Sequence, residues 1–267
     1  MAALLMVACQ KEELHEGPCK VRFVASVQDE VSVTRAETGY TNITKDNAPD
    51  FNAALYVSYG TTAPEYTMSW SDSKLSANLW LEAWKDPYWF YGYAPKFETN
   101  DVASASFENT TLTLSSIPAL TTTDWLVIKP CSTKITTGDV TSGKKTVSLQ
   151  MDHLMAKITP CFYLNSTYEE LRDIRIKKVV FFFEEAPTYT ATINYTTSPY
   201  TPTWDSDGTN DKCDVEAYSI ENSTSADNLP PTKKDNDENP QVYKECGHCY
   251  IVPAQSTSTS SRCAGGS

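Results

Sequence analysis

KVRFVASV, Lys20 to Val27, sets apolar side chains at every second position: Val21, Phe23, Ala25 and Val27. A period of two is the signature of a strand with one face on a core. The same reading extends outward along the chain. Ala53 to Gly60 alternates through Leu55, Val57 and Tyr59. Pro87 to Ala94 (PYWFYGYA) is aromatic on both faces, which predicts a strand covered on both sides. Leu112 to Ser115, Trp125 to Lys129 and Thr146 to Met151, with Val147, Leu149 and Met151 alternating, continue the series. In the second half Met155 to Tyr163, Val179 to Phe183, Tyr189 to Tyr195 and Tyr250 to Pro253 read as strands. Lys177-Lys178 and Glu184-Glu185 bracket the second of these, as charges that guard an apolar strand against aggregation do. Helical periodicity is absent apart from a turn at Tyr168 to Arg172. The turn-rich stretch Thr136 to Lys145, with Gly138 and Gly143, marks a domain boundary. Ser223 to Gln241 reads as a long exposed loop, and the Ser/Thr/Gly tail after Gln255 as unstructured.

Composition supports an all-β chain of one large or two ordinary domains. It has 267 residues, with 15 Tyr, 6 Trp and abundant Ser and Thr, the make-up of β-sandwiches. The formal charge of −12 argues against nucleic acid as a partner, because binding there needs clustered Lys and Arg. No stretch approaches the ~20 apolar residues of a membrane-spanning helix. The eight cysteines, at 9, 19, 131, 161, 213, 246, 249 and 263, are irregularly spaced. Without Cys9 an odd number remains, which does not form a disulfide framework.

The N-terminus, MAALLMVACQKEE, runs from an apolar segment into Ala8-Cys9. That is the form of a lipoprotein signal, cut before a cysteine that then receives acyl chains. No basic residue precedes the short apolar run, so residues 1–8 read as a signal whose start lies further upstream. Residues 9–18 are the anchor and linker. Gln10-Lys11-Glu12-Glu13 resembles the charged tag that exports lipoproteins of the Bacteroidetes to the outer face of the outer membrane.

Several segments, in order, are similar to the fimbrillin-like proteins of the Bacteroidetes, the FimA/Mfa-type fimbrial subunits. They are the lipobox; KVRFVASV followed by Thr34-Arg35-Ala36; WFYGYAP; TDWLVIKP; VSLQMDHLMAKITP, with His153, Ala156 and Lys157 its most specific part; and YIVPAQ. The resemblance covers most of Lys20 to Gln255. It implies two tandem transthyretin-like β-sandwich (Greek-key) domains, here 19–143 and 144–267. Family members continue past the YIVPAQ segment, so the second domain is expected to be incomplete. It implies a lipid-anchored structural or accessory subunit of surface fimbriae, acting in adhesion, located at the cell surface on the outer membrane or in the fimbrium. Its partners would be other fimbrial subunits, the membrane through the anchor, and host proteins or glycans. It further implies processing after Arg35, before Ala36, which would remove the first strand and leave a groove for another subunit's strand.

Motifs for chemistry are few. Cys246-Gly247-His248-Cys249 resembles the redox site of disulfide isomerases, where a helix N-terminus lowers the first thiol's pKa. The residues that follow read as strand, and Glu245 replaces the usual Trp, so a turn on Gly247 with a close Cys–Cys link is the plainer reading. A thiol-disulfide oxidoreductase using Cys246 and Cys249 is a remote alternative. Three scattered histidines and no second Cys/His pair argue against zinc. His153 is expected to be structural. Adjacent pairs such as Glu169-Glu170 point to opposite faces in a strand and do not make an acid/base pair. There is no phosphate loop or nucleophile elbow. The expectation is a non-enzyme with no catalytic residues, cofactor or metal. Trp80, Trp84 and Trp89 carry the main rival, a surface glycan-binding lipoprotein, if they line one exposed strip; core packing is the simpler use of aromatic residues. Sequons at Asn42, Asn109, Asn165, Asn194 and Asn222 are incidental in a bacterial lipoprotein.

Overall fold

The computed structural model describes residues 17–29, 39–59, 63–83, 87–98, 103–165, 173–221, 224, 227–231 and 241–253, without the side chains of 183–186 and 209–213. The strands are β1 (Cys19–Gln28), β2 (Tyr40–Asn42), β3 (Asn52–Ser58), β4 (Glu65–Ser71), β5 (Lys74–Leu81), β6 (Tyr88–Ala94), β7 (Ser104–Glu108), β8 (Thr111–Pro118) and β9 (Leu120–Thr121). After them come β10 (Leu126–Ile128), β11 (Cys131–Thr133), β12 (Lys144–His153), β13 (Ala156–Ile158), β14 (Cys161–Phe162), β15 (Lys178–Asn194), β16 (Thr203–Ser219), β17 (Lys244–Glu245) and β18 (Cys249–Ile251). One short helix, α1 (Thr137–Ser142), precedes β12. The chain is all-β, as its periodicity predicts.

Two compact units are formed, Met1–Lys96 with Ile128–Asp152, and Phe97–Val127 with His153–Ser267. The single boundary expected at 143/144 is therefore corrected. β12 follows that boundary in sequence but pairs in parallel with β1 from Lys20↔Lys144 to Val27↔Met151. Its alternating apolar face needs the same core as β1, so the chain returns to the first unit before leaving it for good.

In the first unit the sheet runs β10-β12-β1-β5-β4-β3-β6, and β10 pairs with β6 as well, closing seven strands into a barrel. Closure removes the unpaired edges that an open sheet presents. Inside lie Val21, Phe23 and Ala25 of β1, Leu75, Ala77 and Leu79 of β5, and Val147, Leu149 and Met151 of β12, all buried. Phe23 meets Phe90 of β6 edge to face, with centroids 6.0 Å apart. Such a pair contributes roughly 0.5–1.5 kcal/mol beyond its burial. β6 is buried at every position but Trp89, as its aromatic run predicts. β3 does not alternate as expected: Ala53 to Val57 are all buried and Tyr59 is exposed. Small residues at 53 and 54 let both faces be covered, and the Tyr56 hydroxyl finds Glu65 at 3.0 Å.

β4 and β5 are joined by a two-residue turn in which Asp72 and Ser73 both have positive φ, 50° and 61°. Asn109 and Thr110 do the same between β7 and β8. These are type I′ conformations, the ones that match the twist of a hairpin.

The second unit holds a four-stranded sheet in the order β16-β15-β8-β7, a three-stranded sheet β13-β18-β9, and the pair β14-β17. Its core includes Leu112, Leu114, Ile117, Ala191 and Ile193. Two expected strands, Val179 to Phe183 and Tyr189 to Tyr195, are one 17-residue strand, β15, with register shifts that absorb Pro187. The single strand expected over Met155 to Tyr163 is instead two, β13 and β14, with Thr159 and Pro160 between them. Pro160 has no N–H for a ladder, and its carbonyl accepts from the Cys246 N–H at 3.0 Å.

Gly92 of β6 faces Leu55 of β3, and a Cβ there would lie 2.1 Å from the Ala54 carbonyl oxygen and 3.0 Å from Ile128 Cδ1. We expect Gly92→Ala to cost about 1–3 kcal/mol through overpacking. Gly143→Ala, in open space with φ +69°, should cost about 1 kcal/mol. Thermal unfolding of the two variants checks the order, with Gly92→Ala melting lower.

Candidate functional site

β1 is bonded along both flanks. β12 runs parallel to it over Lys20 to Val27. On the other side β5 takes the first half, from Cys19↔Leu81 to Phe23↔Leu75, and β2 takes the last three residues, from Ser26↔Asn42 to Gln28↔Tyr40. The strand is therefore central, and its buried side chains fill the barrel between its neighbours. Burying Val21 and Phe23 stabilises by roughly 1.5–3 kcal/mol each.

Residues 30–38 connect β1 to β2 and carry Arg35 and Ala36, which lie outside the described residues, as does Cys9. The two ends of that connection are tied together. The Asp29 N–H donates to the Gly39 carbonyl at 2.9 Å, and Thr41 Oγ1 donates to Asp29 Oδ1 at 2.5 Å. The Asp29 carboxylate packs against Gly39, where a Cβ would stand 2.4 Å from Asp29 Oδ2. Chain cleavage between Arg35 and Ala36 would leave β1 on one fragment and β2 on the other, with β1 held by noncovalent contacts alone.

The start of β2 is fastened by a polar cluster that periodicity does not reveal. The Tyr40 hydroxyl donates to Asp152 Oδ1 at 2.8 Å, and Lys129 Nζ donates to the Tyr40 oxygen at 2.5 Å. Lys129 also lies 3.7 Å from Asp152 and over the Tyr40 ring, 5.1 Å from its centroid. Burial, opposed by the Lys129 hydrogen bond and helped by Asp152, pushes the Tyr40 hydroxyl above its ordinary value of 10.0. The hydrogen bond to Tyr40 leads in raising Lys129 above 10.5, with the Asp152 charge adding to it. Cluster and strand pairing together fix where the connection carrying Arg35 begins and ends.

The turn-rich stretch ahead of β12 contains a helix, α1, where turns alone are expected. Its signal was present in Thr136-x-x-Asp139: Asp139 N–H donates to Thr136 Oγ1 at 3.2 Å and Thr136 N–H donates to Asp139 Oδ2 at 2.8 Å, a capping box. Gly143, left-handed, ends the helix and sets the chain into β12.

The other sequence candidates are not brought together. Trp80 (54 % exposed) is on β5 and Trp89 (41 % exposed) on β6, two strands apart through β4 and β3, and Trp84 is outside the described residues. No shared strand aligns Trp80 and Trp89 into a strip. Cys246 and Cys249 are free and buried, and burial leads in raising both thiols. Gly247 between them has φ +67°, and a Cβ there would lie 1.7 Å from the Ala217 carbonyl oxygen. The expected turn on Gly247 is present, but the expected Cys–Cys link is not: Cys246 follows β17, which pairs with β14, and Cys249 opens β18, which pairs with β13. His153 Nδ1 lies 2.9 Å from Asp124 Oδ2, the structural role expected of it. The same contact joins the TDWLVIKP and VSLQMDHLMAKITP segments, and Leu154 N–H donates to the Trp125 carbonyl beside it at 2.7 Å. Among the described residues no three His, Cys, Asp or Glu are placed to hold a metal ion, and no helix is long and apolar enough to cross a membrane.

No protein-family model matches the chain, and no curated protein matches it at a significant level.

Tyr40→Phe removes both hydroxyl contacts and should cost about 1 kcal/mol in urea unfolding at neutral pH. Tyr40 and Lys129 are both raised in the folded state, so their contribution is complete below their unfolded values near 10 and is lost as pH rises through the raised folded values. The difference between wild type and Tyr40→Phe should hold steady from neutral pH to about pH 9 and shrink above about pH 10.5.

Proposed function

We propose that this chain is a non-enzymatic subunit of surface fimbriae, lipid-anchored through Cys9 and assembled by β-strand exchange. The observation that carries the reading is the placement of β1: central in its sheet, and connected to β2 by the residues that include Arg35 and Ala36. Cleavage after Arg35 would make β1 replaceable. Its departure would expose the backbone donors and acceptors of β12 on one side and of β5 on the other, with an apolar slot between them. Another subunit's strand with apolar residues at alternate positions fits such a slot, as in donor-strand complementation. The order of the lipobox, Thr34-Arg35-Ala36 and the VSLQMDHLMAKITP segment supports the same assignment.

Two transthyretin-like domains belong to this proposal as its finer fold. Support comes from two compact units of β-strands, each with its own buried apolar residues. In this reading the partners are other fimbrial subunits, the outer membrane through the acyl chains, and host proteins or glycans during adhesion. The acidic charge of −12 fits no nucleic-acid role. For the oxidoreductase alternative, a reactive thiol would need a lowered pKa, whereas burial raises Cys246 and Cys249.

Limited Arg-specific proteolysis of the full-length secreted chain, followed by N-terminal sequencing and electron microscopy, tests the proposal. The expected result is a new N-terminus at Ala36 and filaments, both abolished in Arg35→Ala. Intact monomers with β1 still protected would refute strand exchange. In cell fractions Cys9→Ser should move the chain from membrane to soluble fraction; retention of that variant would refute the anchor.

A further inference from the structure

One concave site in the first unit has three cations among its lining residues, in a protein that carries more acidic than basic side chains. A cleft of about 360 Å³ opens where β1, the β4–β5 turn and the segment after β2 meet. Arg22, Lys45 and Lys74 all line it, and no carboxylate is among its described lining residues. Asp46 directly follows Lys45, and Asp72 lies two residues before Lys74. Even so, among the described residues none of the three cations has a carboxylate within ion-pair distance. With 34 acidic residues against 22 basic ones, pairing partners are plentiful. Three unpaired cations around one concavity repel each other and concentrate a positive potential there, which an anionic ligand relieves.

The remaining lining narrows the ligand. Trp70 forms a wall, and its only N–H is already donated to the Ala48 carbonyl at 2.7 Å. Its indole therefore offers a flat apolar face and no donor. Thr44 and Thr146 also line the cleft; Thr44 Oγ1 accepts from the Asn47 N–H at 3.3 Å and keeps its own O–H to donate, and Thr146 sits directly opposite Arg22 in the β1–β12 ladder. The volume lies at the low end of the roughly 300–1,000 Å³ of small-molecule pockets. A flat aromatic wall, hydroxyls and unpaired cations are complementary to a sugar ring that carries a carboxylate or sulfate. The ring's C–H face lies on the indole, its hydroxyls meet the threonines, and its acid group meets Arg22, Lys45 and Lys74.

We propose that this cleft binds an acidic saccharide. The site is distinct from Trp80 and Trp89, and it does not depend on the fimbrial reading. Arg22 belongs to β1, so the cleft is complete only while β1 is in place, and the test uses the uncleaved chain.

Isothermal titration of the purified full chain with trigalacturonate, with maltotriose as the neutral control and acetate as the free-anion control, decides it. Trigalacturonate should bind with quenching of tryptophan fluorescence, and its affinity should fall about tenfold between 50 and 300 mM salt. Lys45→Gln/Lys74→Gln should weaken binding about tenfold or more while leaving the thermal midpoint unchanged, since both side chains are exposed. Maltotriose and acetate should give no saturable heat. Absence of trigalacturonate binding at millimolar concentration, equal binding of maltotriose or acetate, or binding unaffected by the double substitution would overturn the proposal. Neither substitution changes a residue of β1 or of the connection that carries Arg35, so failure here leaves strand exchange standing, and failure of strand exchange leaves the cleft standing.

Discussion

The parallel pairing of Lys20–Val27 with Lys144–Met151 is the constraint on which the first unit depends. The first and the last of the barrel strands in sequence share a ladder, and between them they bring Phe23, Ala25, Leu149 and Met151 into one core. Without that ladder the β5 side and the β12 side of the barrel have no common neighbour. The unit pays for this arrangement in loop-closure entropy, because the pairing joins segments far apart in sequence. It also concentrates the unit's integrity in one strand, and that strand is attached to the following one through the connection that carries Arg35.

Much of this was legible where side chains alternate. Val21, Phe23 and Ala25, and Val147, Leu149 and Met151, announce their buried faces directly. The strand β6, covered on both faces except at Trp89, was legible from its aromatic residues. The pairing of those strands was not, because periodicity says which face is buried and nothing about which neighbour buries it. That is why the boundary at 143/144 looked sound: the turn at Gly143 is real, but it ends α1 and returns the chain to the same unit. β16 was invisible for a different reason. Its sequence, TWDSDGTNDKCDVEAYS, is rich in residues that strands disfavour. It is extended because β15 supplies a continuous template, and as the outer strand of its sheet it needs no apolar outer flank. Edge strands with charged side chains also resist unwanted pairing.

The polar features follow a similar division. The capping box of α1 could have been read from Thr136 and Asp139. The Tyr40–Lys129–Asp152 cluster could not, since its members come from three separate segments and meet only once the barrel forms. The cationic cleft is of the same kind: Arg22, Lys45 and Lys74 are unremarkable in sequence, and only the fold gathers them around Trp70. The CGHC string shows the reverse case. It is conspicuous in sequence, but the fold buries both thiols and uses Gly247 for a close approach to the Ala217 carbonyl.

The central claim is that β1 is an integral strand of the first unit, cooperative with both neighbours, rather than a loosely added one. Hydrogen–deuterium exchange of the uncleaved chain, resolved by peptide, tests it most directly. The account predicts that the β1 amides exchange as slowly as those of β5 and β12, and that all three become accessible together as denaturant is raised. Exchange of β1 well ahead of β5 and β12, with the latter two still protected, would contradict it.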